Sequence, residues 1–277
     1  MSIVLTLRQV PPGRISLFGV TPDRLAAMSV AEIESIGLAW GKEKPALGEF
    51  FTIVGEPGDS VIFEGMARSF CDLGGGMTSG RCEVHGDAGD FLGRDMRGGH
   101  LLVRGSAGDF VASGMAGGEL HIDGDAGDRL GAALPWLAGG MRGGRVVVTG
   151  NVGARCGDKL RRGEVFVGGD AGPFCAARMV AGTIAVAGQL GEHAGYGMRR
   201  GTLFALAEDF AVPATFGETA LCADAYLRLV WRDWLERFDA ESVFARFARA
   251  AGQGRGLRRW MGDMGSDGRG EVIGLGA

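Results

Sequence analysis

The chain has 277 residues, of which 52 are glycine and 8 proline; 46% are apolar and the formal net charge is −4. Glycine near a fifth without a three-residue period or abundant proline excludes collagen, and the apolar content excludes disorder. The acidic balance gives no electrostatic case for nucleic acid; no basic-then-apolar leader and no apolar run near ~20 residues predict a cytoplasmic protein without a membrane segment.

Residues 1–59 open on the alternating stretch "IVLTLRQV", a strand pattern. Thr21 precedes Pro22, a favourable first helical residue, and Ser29 stands at capping-box spacing from Glu32, so short helices are predicted here. "LGEFFTIVGE" then leads into a repetitive region, and 1–59 reads as the segment that caps one end of it.

From Arg81 a single unit recurs: "RCEVHGDAGDFLGRDMRGG", "HLLVRGSAGDFVASGMAGG", "ELHIDGDAGDRLGAALPWLAGGMRGG", "RVVVTGNVGARCGDKLRRG", "EVFVGGDAGPFCAARMVAG" and "TIAVAGQLGEHAGYGMRRG", ending at Gly201. Five units have 19 residues and the third has 26; a degenerate unit spans 60–80. Each begins with period-2 alternation, its second and fourth residues apolar throughout (Cys82 and Val84, Leu101 and Val103, onward to Ile184 and Val186). Two further apolar columns follow, Leu92, Val111, Leu130, Cys156, Cys175, Ala194 and Met96, Met115, Met141, Leu160, Met179, Met198. Glycine holds the sixth position (Gly86, Gly105, Gly124, Gly150, Gly169, Gly188) and the ninth (Gly89, Gly108, Gly127, Gly153, Gly172, Gly191). It often holds the thirteenth as well (Gly93, Gly131, Gly157, Gly195).

Nineteen residues are too few for an ordinary strand–helix–strand crossover but suit one coil of a solenoid whose strands stack in parallel. The expected fold is mainly β, a right-handed parallel β-helix over 60–206, with glycine corners that permit positive φ and close approach of successive coils. An α+β cap (1–59) and a helical extension with tail (207–277) complete the chain. In the extension, Leu227, Val230, Trp231, Trp234 and Phe238 share one helical stripe, and a second set, Val243, Phe244 and Phe247, ends at Gly252. The stripe reads either as a cover for the last coil or as an arm for another subunit. The Gly-rich ending "LRRWMGDMGSDGRGEVIGLGA" reads as mobile alone or ordered by a partner.

Chemistry-bearing residues fall into columns. Asp90, Asp109 and Asp128 stack at the tenth position, and Asp87, Ser106, Asp125, Asn151, Asp170 and Gln189 at the seventh. The calcium-solenoid nonapeptide is absent, and local Asx-type capping accounts for these types. Across the section the corner is basic: Arg94, Arg97, Arg142, Lys159, Arg161, Arg162, Arg178, Arg199 and Arg200. It suits an acidic partner surface or a carboxylate-rich ligand, or serves as a solvated edge. Trp136, in the inserted loop "AALPWLAGG", is an exposed-aromatic candidate for partner contact or a lid over a coil edge. Cys156 and Cys175 share an inward slot at a separation that a disulfide tolerates, although buried free thiols are expected. His85, His100, His121 and His193 occupy four different coil positions and predict no zinc site. There is no GxSxG, Walker loop or HExxH; GxxGxxxG lacks the surrounding unit of a dinucleotide fold. No catalytic, cofactor-binding or metal-binding residue is assigned.

The coils, with "ALP…GGMRGG" in the middle copy and "VTGNVGARCG" after it, resemble the C subunit of formylmethanofuran dehydrogenase. They resemble, more distantly, the C-terminal β-helix domain of the glutamate synthase large subunit. The likeness to the C subunit runs from "SVAEIESIGLAWGKEKPALGEFF" through the coils, and "LRRWMGDMGSDGRGEVI" is similar to bacterial relatives from formyltransferase/hydrolase complexes. The resemblance implies a non-catalytic subunit of a one-carbon complex. In the bacterial version a formyl group passes from formyl-tetrahydromethanopterin by way of a methanofuran-type carrier to formate. Metal would sit in an amidohydrolase-like subunit, beside dehydrogenase-like and formyltransferase subunits. In the archaeal version a molybdenum or tungsten pterin interconverts CO2 and formylmethanofuran. Arg161, Arg162, Arg199, Arg200 and Trp136 are then the candidates for contact with carrier or partner.

Overall fold

A computed structural model describes residues 2–220, 225–253 and 256–275. Its elements follow the alternation of the sequence. β1 (Ser2–Leu7), β2 (Ile15–Ser16), the short helices α1 (Pro22–Leu25), α2 (Val30–Glu34) and α3 (Leu47–Phe50), and β3 (Phe51–Gly55) come first. The Ser29 hydroxyl accepts from the Glu32 N–H at 3.3 Å while the Glu32 carboxylate accepts from the Ser29 N–H at 2.8 Å, the reciprocal cap its spacing predicted. β4 (Ser60–Met66) and β5 (Phe70–Cys71) form the degenerate unit. Then each regular unit opens on one strand: β6 (Arg81–Gly86), β7 (His100–Val103), β8 (Ala116–Ile122), β9 (Arg142–Val148), β10 (Arg162–Val167) and β11 (Thr183–Val186), followed by β12 (Thr202–Ala205). β13 (Gly217–Thr219), α4 (Ala225–Arg237), α5 (Val243–Gly252), β14 (Leu257–Gly262) and β15 (Gly270–Leu275) end the described chain.

Among the described residues the architecture is mainly β, a 13-stranded sheet in which β4 and β6 through β12 run parallel in chain order. The register is that of the repeat: Cys82 pairs with Leu101, Leu101 with Leu120, Val146 with Val165, and Val165 with Ile184. The 26-residue unit keeps it, since Leu120 pairs with Val146 and the extra residues leave the ladder as a loop. A second line of parallel bridges links Ala107, Ala126, Val152, Ala171 and Leu190, the eighth residues of successive units. Between the two lines the columns read from sequence form one core: Val84, Leu92, Met96, Val103, Val111, Met115, Cys156 and Met179 have no exposed surface. Burial of each larger apolar side chain contributes about 1.5–3 kcal/mol.

The glycine columns serve two separate needs. At the ninth position a Cβ on Gly127 would stand 2.3 Å from Asp109 Oδ1 and 2.9 Å from the Gly108 carbonyl carbon, so bare backbone is required by close approach alone. At the thirteenth, Gly93 has φ +65°, yet Ala112 and Ala176 hold φ 56° and 58° at the same turn, which makes glycine preferred there and not obligatory. The eleventh residue of each regular unit is also left-handed without being glycine: Phe91, Phe110, Arg129, Arg155, Phe174 and His193 have φ between 58° and 62°. Each costs about 1 kcal/mol or more. The ladder holds them there: the Phe91 N–H donates to the Asp109 carbonyl and the Phe110 N–H to the Asp128 carbonyl, both at 2.8 Å.

In the region 207–277 the expected helices form, as α4 and α5, but the ending read as mobile alone or ordered by a partner is ordered by this chain's own sheet. The tail folds into the hairpin β14–β15, and β15 pairs in parallel with β12, Leu203 beside Val272, as a further rung. Alternation drives this: Val272 points into the inner column and Ile273 outward, both buried. The helical stripe covers the last units, on their outer face. Leu227, Trp231, Trp234, Phe244 and Phe247 pack on Phe166, Ala185, Phe204 and Ile273, outward residues of β10, β11, β12 and β15. Arg145 fastens this layer, reaching Glu164 at 2.5 Å and Asp233 of α4 at 3.3 Å.

Gly127→Ala is expected to lower stability by about 1–3 kcal/mol through overpacking. Gly252→Ala, whose Cβ meets nothing within 4 Å at the end of α5, is expected to be neutral or to gain up to about 1 kcal/mol. Urea unfolding of the two variants checks the pair; equal effects would show that close approach is not the constraint.

Candidate contact surfaces

The turns place the polar columns on the surface, and their chemistry differs column by column. The acidic columns act between units and not within their own turns, which corrects the local-capping reading. The Ser106 N–H donates to Asp87 Oδ1 at 2.9 Å, the Asp109 N–H to Asp90 Oδ1 at 2.9 Å and the Asp128 N–H to Asp109 Oδ1 at 2.8 Å. Asp125, Asn151 and Asp170 continue the first series, accepting from Asn151, Asp170 and Gln189 at 2.7–2.8 Å. These oxygens satisfy backbone donors one unit on, and among the described residues no group of three or more His, Cys, Asp or Glu side chains could hold a metal ion.

The basic corner divides. Arg94 pairs with Asp72 at 3.0 Å and Arg178 is bound in a fork by Asp158, with its Nε at 2.8 Å, so these two are structural. Arg142, Arg161, Arg162, Arg199 and Arg200 instead line one cleft of about 620 Å³, floored by Val180 and Ala181. Register explains the gathering: Arg162 lies beside Arg142 in the ladder, and Arg199 donates its N–H to Met179 one unit back, as Arg161 does to Met141. Arg142 reaches Asp95 only at 4.0 Å; among the described residues no carboxylate stands within ion-pair distance of the other four. Trp136 does not fold back over an edge: it is 74% exposed at the tip of the inserted loop, beside Leu137. The loop's feet are tied to the next unit, Ala133 N–H to the Asp158 carbonyl and Gly140 N–H to the Lys159 carbonyl. Gly139 lies against the Arg161 stem, its notional Cβ 2.4 Å from Cδ. Loop and arginines therefore share one corner.

Sequence positions hid two further surfaces. His85, His100 and His121 stand at odd positions of three strands, and odd positions share a face. Each meets a carboxylate, His85 and Glu83 at 3.1 Å, His100 and Glu119 at 3.2 Å, His121 and Asp123 at 3.2 Å. Hydrogen bonds from His85 and then Arg104 hold the Glu83 carboxyl below its usual range. Of these residues, His100, Glu119, His121 and Asp123 line, with Leu102, Val147, Phe238 and Phe244, a groove of about 910 Å³ where the helical layer stops. The second surface is the left-handed eleventh column, in which Phe91 stacks on Phe110, Arg129 lies 5.1 Å over Phe110, and Arg155 lies 4.8 Å over Phe174. The recurring Phe/Arg pattern at one offset was its signal.

The thiols are inert packing. Cys71, Cys82, Cys156 and Cys175 are buried and unpaired as disulfides, and Cys222 lies outside the described residues. Burial pushes the Cys82 thiol up to about 12; the Cys175 contact, together with burial, raises Cys156 as well. No helix among the described residues is long and apolar enough to cross a membrane.

A glycine-cornered stack of parallel strands, with charged and aromatic columns on its outside, defines a repeat scaffold. The sequence model of the GXGXG motif family matches residues 67–226, and the chain belongs to this family. It is similar to a chain in the X-ray structure of the formyltransferase/hydrolase complex (FhcABCD) from Methylorubrum extorquens in complex with methylofuran. The two share 36% identity over 98% of each chain, with a TM-score of 0.89. The C subunit of the Fhc formyltransferase/hydrolase complex of that organism is 38% identical over 88 residues, 32% of this chain and 33% of that protein. The C subunit of the tungsten-containing formylmethanofuran dehydrogenase 2 of Methanothermobacter marburgensis is 32% identical over 96 residues, 33% of this chain and 36% of that protein. These two matches thus span about a third of the curated relatives' length.

In a Cys222→Ser variant, titration with a thiol-specific chromophore at pH 8 is expected to show negligible reaction until denaturant is added, then four equivalents. Stoichiometric reaction of the folded protein would contradict the burial of the four thiols.

Proposed function

We propose that the chain is the structural subunit of a formyltransferase/hydrolase complex, its 60–206 region a right-handed parallel β-helix between a cap (1–59) and an extension (207–277). The observation that carries this is the chain-length correspondence with a chain of the FhcABCD structure, which no match confined to the repeats would produce. In the proposed complex a formyl group passes from formyl-tetrahydromethanopterin to a methanofuran-type carrier and is hydrolysed to formate, in the cytoplasm. The metal would sit in an amidohydrolase-like partner, alongside dehydrogenase-like and formyltransferase subunits. This chain contributes position: a stack fixed by hydrogen bonds every unit holds partner-binding surfaces at set distances around one shuttling carrier. Arg161, Arg162, Arg199, Arg200 and Trp136 make contacts with those components, and the glycine columns keep the stack rigid.

The likeness to the tungsten-containing relative supports a second reading, a redox complex of the formylmethanofuran dehydrogenase type. Affinity purification of the tagged chain from its native host, with partner identification and elemental analysis, tests both. Copurifying formyltransferase and amidohydrolase-like subunits without molybdenum or tungsten is the expected result. A stoichiometric pterin-bound tungsten or molybdenum would favour the second reading. A chain that purifies alone, or with amidotransferase and flavin subunits, would overturn both.

A further inference from the structure

We infer that the arginine cleft and the Trp136 loop form one composite docking surface for a folded protein partner, which offers an apolar pocket to the indole and a bordering row of carboxylates to the guanidinium groups. The inference rests on the proposed membership of a complex and names the surface that assembly uses.

Several other arginines of the repeats are neutralised within the chain, Arg94 by Asp72, Arg178 and Arg155 by Asp158, Arg145 by Glu119, Glu164 and Asp233. The cleft gathers arginines that are not. Ladder register sets Arg142 and Arg162 one rung apart, about 4.8 Å, and Arg161 and Arg199 two rungs apart, about 10 Å. Like charges stacked so closely repel, and the chain supplies no counter-charge to the four arginines at 161, 162, 199 and 200 among the described residues. A complementary negative row relieves that repulsion.

The loop identifies the class of partner. Its seven extra residues interrupt an otherwise 19-residue period, and its anchored feet present Trp136 and Leu137 outward, 74% and 38% exposed. An exposed indole beside clustered arginines has the composition of an interface hot spot. A small or linear polyanion would satisfy the guanidinium groups and leave the indole in water. A folded surface with an acidic rim and an apolar pocket engages both, and Gly139 packed on Arg161 makes the two halves contiguous.

The test compares wild type, Trp136→Ala, and the Arg161→Glu/Arg199→Glu pair, each coexpressed with the subunits that copurify with wild type. Poly-L-glutamate is titrated into each isolated chain as a polyanion probe. Both variants are expected to keep the wild-type melting temperature and to weaken assembly at least about tenfold. Trp136→Ala should bind poly-L-glutamate like wild type. If Trp136→Ala assembles normally while the arginine pair fails, the cleft takes an anion alone and the composite surface is wrong. If both assemble normally, the docking surface lies elsewhere, although wild-type assembly still supports the proposed function. Failure of wild type itself to assemble would remove the reading on which the inference rests.

Discussion

The distance between one repeat unit and the next governs this molecule. Strands hydrogen-bonded in parallel lie about 4.8 Å apart, and at the sixth and ninth residues the backbone of one unit runs directly over that of its predecessor. A Cβ on Gly124 would stand 2.4 Å from the Ser106 hydroxyl oxygen, and one on Gly153 2.2 Å from Asp128 Oδ1. Glycine there is a consequence of contact, and the oxygens it admits are the same ones that accept N–H groups across units. Removing either partner disturbs both packing and hydrogen bonding, because the two share the same few ångströms.

The same constraint dictates where the chain can carry anything else. Inward columns are committed to Leu, Val, Met and Cys, so chemistry is pushed to the outer face and the corners. The outer face is then divided by a gradient along the third strand position: Glu83, Leu102, His121 and Val147 give way to Phe166, Ala185 and Phe204. The apolar half receives the helical layer, in which Trp234 meets Phe166 and Phe204 edge-on at 5.3 and 5.1 Å. The polar half stays open, with His85, His100, His121, Arg104 and Arg145 already engaged by neighbouring carboxylates. The arginine cleft combines exposure with a cluster of charge that the described chain does not answer.

Much of this was legible because a repeat displays each structural need several times. Strand starts, inward columns, the loop and the arginine set could be read by aligning the units against one another. What escaped involved relations that alignment of the regular units leaves out. The tail strand Arg269-Gly270-Glu271-Val272 repeats the start of β10, Arg162-Gly163-Glu164-Val165, but stands about a hundred residues away after two helices, so its glycines read as flexibility. Asp, Asn and Ser in turns ordinarily cap their own backbone, and only stacking shows that here they reach the next unit. The histidines look scattered in the sequence because unit offsets 1, 3 and 5 differ in number while sharing one face of a strand.

An insertion into such a stack has little freedom. If the 26-residue unit spread its extra length through its turns, the register of every following strand would shift, and a one-residue slip would turn the inner column outward. The ladder resumes at Arg145 opposite Glu119 with the apolar columns intact, so the extra residues leave and return at neighbouring points. They must project from the surface as a loop with both feet on adjacent units. The loop's position beside Arg161 follows from the same geometry: its return foot lies on the rung where the arginine column thickens. A repeat that tolerates no change of length inside its ladder thus puts its extra length at one corner, and the proposed docking surface is built there from that loop and a cluster of unneutralised arginines.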